Sequence, residues 1–292
     1  MAITEAHSTE IYYETQGDPD HPTLLLVNGL GSQLINWHPE FCQLFVDRGF
    51  HVVVFDNRDV GLSAKTEGAV PDMATMMDMF RSGEPVSVPY TLSDMAADGF
   101  AVLDAVGATK AHIAGMSMGG MIVQRMAIDR PDRVLSMTSI MSSTGNPKVG
   151  RGTPEGAASL MAVAPSDRDG FIEFTVENRR ITGGTHHEDE YWRTQAGLIY
   201  DRMYYPAGPA FQLAAVASDG DRTEALGQMT VPSLVVHGRL DPLIGLSGGQ
   251  ATAAAIKGAE LLVIDEMGHD LPRAIWGQIV ASMTELAGPN PT

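Results

Sequence analysis

Basic residues are scarce in this sequence of 292 residues: 19 lysines and arginines stand against 36 aspartates and glutamates, for a formal net charge of −17. Such a surface repels phosphate backbones and anionic headgroups, so a nucleic acid or membrane partner would require a local basic patch. None is found; Arg179-Arg180 is the densest basic pair. Cysteine is nearly absent. The single Cys42 forms no internal disulfide, and it falls within residues 39–48, where apolar residues recur at helical spacing. It reads as a buried packing residue rather than a reactive thiol. Long hydrophobic runs are also missing: residues 23–27 and 52–55 fall far short of the ~20 needed to span a bilayer. The first ten residues carry two acids and no lysine or arginine, so no secretory signal is expected and the protein is expected to be cytoplasmic. Hydrophobic residues make up 44% and charged residues 19%, which excludes disordered, collagenous and fibrous classes. A chain of this length closes a large core without a disulfide or structural metal.

Short aliphatic runs recur, each ending in turn residues. Residues 24–27 end at Asn28-Gly29, 52–55 at Asp56, 111–114 at Gly115, 134–141 at Ser142-Ser143, 234–236 at His237-Gly238 and 261–264 at Asp265. Continuous apolar runs of this length are strands buried on both faces, hence parallel strands. Helical patterns lie at 39–48, 92–106, 118–129, 248–256 and 272–286. Strands alternating with helices predict an α/β fold: a doubly wound, mostly parallel sheet of about eight strands. Residues 10–15 alternate sides and are expected to pair antiparallel at one edge. The alternation breaks over residues 142–229, where helical stretches at 168–181, 188–203 and 209–218 occur without a buried strand. This predicts a helical lid inserted into a core made of residues 1–141 and 230–292. A second interruption, residues 64–90, contains Met73, Met76, Met77 and Met79.

Gly115-Met116-Ser117-Met118-Gly119 follows one strand and opens a helix. At such a turn the backbone is strained, small neighbours let helix and strand pack closely, and the hydroxyl sits at a helix N-terminus that favours negative charge. A glycine-rich connection that happens to contain serine is the bland alternative. A serine nucleophile requires a base, and the base a carboxylate to orient it. Both occur: Asp241 follows the strand ending at His237-Gly238, and His269 follows the next strand. Ligands in open α/β sheets bind outside the carboxyl ends of the strands, so Ser117, Asp241 and His269 are expected to converge there. Stabilising a tetrahedral intermediate takes two donors, expected from the backbone N–H groups of Met118 and of Leu30 in the loop Asn28-Gly29-Leu30-Gly31. His51, His112 and His237 lie at or in strands and read as packed or capping residues. His186-His187, beside Glu188, Asp189 and Glu190, lacks the i, i+4 spacing of zinc hydrolases and reads as a charged helix start.

These motifs resemble the α/β-hydrolase superfamily over nearly the whole chain: the loop at residues 28–31, Asp56-Asn57-Arg58-Asp59-Val60-Gly61-Leu62-Ser63, the serine turn, and the pair Asp241 and His269. Within it the chain is most similar to the aclacinomycin methylesterase-like carboxylesterases, which share a glycine-rich first loop running to a tryptophan, here Trp37, and a Gly-x-Ser-Met-Gly turn. It departs from many members at Asn28, where they carry histidine. The resemblance implies a serine hydrolase that cleaves small to medium uncharged carboxylic esters through an acyl-enzyme, with no cofactor and no metal. The same residues serve carbon–carbon bond hydrolysis, lactone hydrolysis or cofactor-free perhydrolysis. A ligand-binding receptor that has lost turnover is the reading from another class. Serine in place of a carboxylate nucleophile argues against haloalkane dehalogenases and epoxide hydrolases. Gly29, Trp37, Met116 and the pair Tyr204-Tyr205 are expected to wall the substrate pocket; oligomeric state is not legible.

Overall fold

In the computed structural model, which describes residues 2–6, 9–69, 72 and 88–288, the strands follow the aliphatic runs. All five residues of β3 (Thr23–Val27) and of β4 (His51–Phe55) are buried. They join β1 (Ala2–Ala6), β2 (Thr9–Gln16), β5 (Ala111–Met116), β6 (Val134–Ile140), β7 (Ser233–Gly238) and β8 (Glu260–Ile264) in one eight-stranded sheet. The order is β1-β2-β4-β3-β5-β6-β7-β8, parallel from β4 onward and antiparallel between β1, β2 and β4. The edge differs from the expectation. β2 pairs antiparallel with β4, but β1 covers its other side and takes the edge. β1 gave no signal because it is five residues long, and Ile3, its isoleucine, is 59% exposed.

Helices cover both faces. Leu25, Val27, Val53, Phe55 and Ile113 point to a core shared with α2 (Leu92–Ala105) and α3 (Met118–Asp129). The alternate residues Leu24, Leu26, Val52, Val54 and Val236 face a second core, where α1 (Pro39–Val46) contributes Phe41 and Phe45 and the last helix, Trp276–Ala287, contributes Ile279 and Val280. Each such side chain gains roughly 1.5–3 kcal/mol on burial, so these alternating positions fix which face each helix must cover. Cys42 is buried among them, and burial pushes its thiol up to about 12. Thr91 and Asp94 close a reciprocal capping box at the start of α2.

Between β6 and β7 lie α4 (Pro154–Met161), α5 (Arg168–Thr182), α6 (Asp189–Arg202), α7 (Gly208–Asp219) and α8 (Thr223–Gly227). Three of these were anticipated; α4 and α8 are short and lack an apolar stripe long enough to read. After β7, α9 spans Ser247–Ala255, and Trp276–Ala287 becomes α10. The methionines Met73, Met76, Met77 and Met79 lie outside the described residues. Among the described residues no helix is long and apolar enough to cross a membrane.

Candidate active site

Ser117 stands at the carboxyl end of β5, with φ 57° and ψ −120°, and α3 begins at the next residue. A non-glycine residue in this region costs about 1–3 kcal/mol, so its surroundings must impose the geometry. The glycines do so by their lack of side chains. A Cβ on Gly115 would lie 2.1 Å from the Gly119 carbonyl oxygen, and one on Gly119 would lie 2.1 Å from that of Val27. The Ser117 N–H donates to the Ile140 carbonyl (2.9 Å), and the Ser142 hydroxyl donates to the Ser117 carbonyl (2.8 Å). The Ser117 hydroxyl itself makes no hydrogen bond among the described residues and borders a cavity.

Asp241 follows β7 and His269 follows β8. The Asp241 side chain is fully buried; its Oδ1 accepts from the N–H groups of Leu243 and Ile244 (2.9 Å each), and its Oδ2 lies 2.7 Å from His269 Nδ1. A carboxylate at that position fixes the proton on Nδ1 and leaves Nε2 as an acceptor. His237, inside β7 rather than after it, also approaches Asp241 Oδ2, at 3.6 Å. It donates instead from Nε2 to the Ile244 carbonyl (2.7 Å), and burial holds its pKa below the ordinary histidine value. His112 is 2.8 Å from the Ser136 hydroxyl, and burial pulls it down to about 4. His51 is 3.5 Å from the Thr23 hydroxyl. His186, on the surface, is 3.4 Å from Glu266.

The loop after β3 passes against the serine: a Cβ on Gly29 would lie 3.2 Å from Ser117 Cβ. The Ser32 N–H donates to the Gly29 carbonyl (3.3 Å), Gly31 has φ 65°, and Leu30 has an ordinary negative φ. These are the marks of a type II turn, which requires positive φ at its third residue. Neither the Leu30 N–H nor the Met118 N–H finds an acceptor among the described residues. Asn28 braces the loop by donating from Nδ2 to the Gln33 carbonyl (2.9 Å).

The cavity measures about 580 Å³. Gly29, Leu30, Trp37, Met116, Ser117, Tyr204, Tyr205 and His269 all line it; Asp241 sits behind His269, and Met118 is buried beneath the serine turn. Much of the far wall comes from α4, α5, α6 and α7, with Leu160, Phe171, Phe174 and Leu213 among the side chains. A polar patch interrupts it. Arg179 stacks on the Trp192 ring at 3.8 Å and lies 3.5 Å from Asp270, which accepts the Trp192 N–H at 3.0 Å. Burial, reinforced by the Asp270 charge, pushes the neighbouring Tyr191 phenol up to about 12.

The histidine loop is sewn to the end of α5. The His269 N–H donates to the Thr182 carbonyl (2.6 Å), the Gly268 N–H to that of Gly183 (3.4 Å), and the Thr185 N–H to that of Glu266 (3.1 Å). A Cβ on Gly268 would lie 2.2 Å from the Thr182 oxygen, and one on Gly184 would lie 2.4 Å from the Gly268 nitrogen. Nothing in the sequence marked this seam, since its partners are backbone atoms more than 80 residues apart.

Comparisons with known proteins bear on the family and the fold. A family model described as the alpha/beta hydrolase fold matches residues 22–272. A rhodomycin D methylesterase from Streptomyces peucetius is 28% identical, the match covering 94% of this chain and 93% of its own length. A 3-oxoadipate enol-lactonase from Acinetobacter baylyi is 25% identical over 89% of this chain and 86% of its own. The structure of 2-hydroxy-6-oxo-6-phenylhexa-2,4-dienoate hydrolase from Rhodococcus sp. strain RHA1 superposes with a TM-score of 0.74 at 20% identity, covering 97% of this chain and 96% of that one. That likeness speaks to the fold alone.

Proposed function

That the chain belongs to the α/β hydrolase family is the premise from which we propose its activity: hydrolysis of carboxylic esters through an acyl-enzyme on Ser117. The observation that carries the reading is the 2.7 Å contact of His269 Nδ1 with the buried Asp241 carboxylate, in the wall of the cavity that the Ser117 hydroxyl borders. His269 Nε2 takes the hydroxyl proton as Ser117 Oγ attacks the ester carbonyl. The oxyanion so formed is met by the N–H groups of Leu30 and Met118, and Asp241 stabilises the imidazolium. His269 then returns the proton to the leaving alkoxide. A water molecule, deprotonated by the same nitrogen, attacks the acyl carbonyl and releases the acid. Ser117 and His269 line the same cavity, and catalytic hydrogen bonds of this kind commonly tighten only when substrate fills the site.

Residues 142–229 serve in this reading as a cap over a core of residues 1–141 and 230–292. A cavity of about 580 Å³ falls in the range that encloses small-molecule ligands, and its largely apolar wall suits small to medium uncharged esters. The methylesterase relative supports an ester substrate. The enol-lactonase relative supports lactones as a second class, because a lactone is an internal ester opened by the same steps. Release of p-nitrophenol from short-chain p-nitrophenyl esters tests the proposal: Ser117→Ala should lower kcat by about 10⁴-fold or more with the melting temperature unchanged. Retention of full activity by Ser117→Ala would remove the serine from the mechanism.

A further inference from the structure

The Leu30 N–H is useful only if it points at the developing oxyanion, yet the loop that carries it has glycine at 29 and 31 and therefore little backbone preference of its own. Its direction has to be set from outside. The N–H of Gly31 donates to Gln212 Oε1 (2.8 Å), and Gln212 Nε2 donates to the Arg58 carbonyl (2.8 Å). Gln212 lies in α7 and is fully buried, so both bonds are shielded from competing water. The helix reaches this depth because its first residue is glycine: a Cβ on Gly208 would lie 2.0 Å from the Asp59 carbonyl oxygen. Pro209 then packs against Gly31, 3.1 Å from where a Cβ would be. A single amide thus ties the loop after β3 to the loop after β4, and both to α7.

We propose that Gln212 is a positioning residue for the oxyanion donor: by holding the Leu30–Gly31 peptide it fixes the turn whose Leu30 N–H receives the oxyanion, so that docking of α7 and assembly of the oxyanion hole are one event. The inference rests on the esterase reading and deepens it. Gln212 touches no reacting atom; it acts through Gly31. Asn57 donates to the Asn28 carbonyl at the start of the loop (3.0 Å), and the contacts to the Gly29 and Leu30 carbonyls come from Ser32 of the same loop (3.3 and 3.4 Å). Two further anchors hold its far end. Gln33 donates to the Ile199 and Met203 carbonyls (2.9 and 2.8 Å), and Gln195 donates to that of Ile35 (2.6 Å). Neither reaches the peptide on either side of Leu30.

Gln212→Met keeps the side-chain length and removes both hydrogen bonds. Losing one oxyanion donor outright costs 10²–10³ in kcat in other hydrolases, and a misplaced donor should cost less. We expect kcat to fall about 30-fold, with KM changed by less than about 3-fold. A trifluoromethyl ketone analogue of the ester, whose tetrahedral adduct occupies the hole, should lose affinity in step with kcat/KM. The leaving alcohol, as a competitive inhibitor, should keep its affinity. Gln212→Glu, assayed at acid pH where the buried carboxyl is protonated, still accepts from Gly31 and donates to the Arg58 carbonyl. Relative to wild type at the same pH it should stay within about 5-fold, which a merely space-filling role would not require. If Gln212→Met does not fold, Gln212→Asn, one methylene too short to reach Gly31, gives the same comparison. Wild-type kcat in Gln212→Met, or equal weakening of ketone and alcohol, overturns the inference. In that case Ser117→Ala still abolishes turnover, whereas failure of the esterase reading leaves Ser117→Ala active.

Discussion

Ser117 is held by the central strands on which its turn sits, whereas His269 is held by the end of a helix from the segment between β6 and β7. The serine turn lies on β5, which pairs with both β3 and β6, and its strained φ is enforced by glycines two residues to either side. The histidine loop follows β8, an edge strand that pairs only with β7 and exposes 39% of Leu261. It gains backbone partners from residues 182–185, at the end of α5, which do for it what a neighbouring strand does for the serine. A loop on a central strand is shaped by the sheet; a loop on an edge strand needs cover. Rigidity of the proposed nucleophile therefore belongs to the core, and rigidity of the proposed base belongs to the contact between core and helical segment.

If this difference is real, disrupting the two regions has unlike consequences. The largest effect is expected from Gly119→Ala. Its Cβ would meet the carbonyl oxygens of Val27 at 2.1 Å and Asn28 at 2.6 Å, and these are backbone atoms that cannot step aside. A loss of about 4 kcal/mol or more is expected, seen as insolubility or a fall in melting temperature beyond ~10 °C. A near-normal melting curve would show that the turn is not enforced as described. Gly268→Ala should act the other way round. Its Cβ would lie 2.2 Å from the Thr182 oxygen, so the seam opens at the edge of the sheet while the core stays closed. We expect kcat to drop about 100-fold with a melting temperature only a few degrees lower. Equal thermal damage in both variants would erase the distinction.

The smallest effect concerns acid. His112, in the strand that carries Ser117, titrates at about 4 when folded because it is buried, against an ordinary value of 6.5. Below pH 6.5 the unfolded chain binds a proton that the folded chain refuses, so stability falls as pH falls from 6.5 toward 4. His237, lowered by burial as well, adds a loss of the same sign. Between pH 7 and pH 5 the His112 share is about 2 kcal/mol. Denaturant melts at the two pH values should show that loss in wild type and a shallower dependence in His112→Asn. An unchanged slope in the variant would assign the acid sensitivity elsewhere.

What was legible in the sequence follows the same division. The buried strands announced themselves as aliphatic runs, and the serine turn as glycines at fixed offsets, because both are local. Asp241 and His269 were legible through their order after late strands, although the contact between them is not written in either motif. β1 was missed because a short, half-exposed strand shows no buried run. Gln212 and the seam at residues 182–185 left no trace. A glutamine within an apolar helix, or a carbonyl at a helix end, reads as nothing until its partner is known, and those partners are backbone groups 181 and 154 residues away for Gln212 and more than 80 away for the seam.

The central claim is that the Ser117 hydroxyl becomes a nucleophile in this cavity. Reaction with diethyl p-nitrophenyl phosphate, followed by intact mass and peptide mapping, tests it directly. One diethylphosphoryl group per chain, located on Ser117 and accumulating in proportion to the loss of ester hydrolysis, is the predicted result. Hydrolysis that continues while the reagent leaves Ser117 unmodified, or labels another residue, would contradict it.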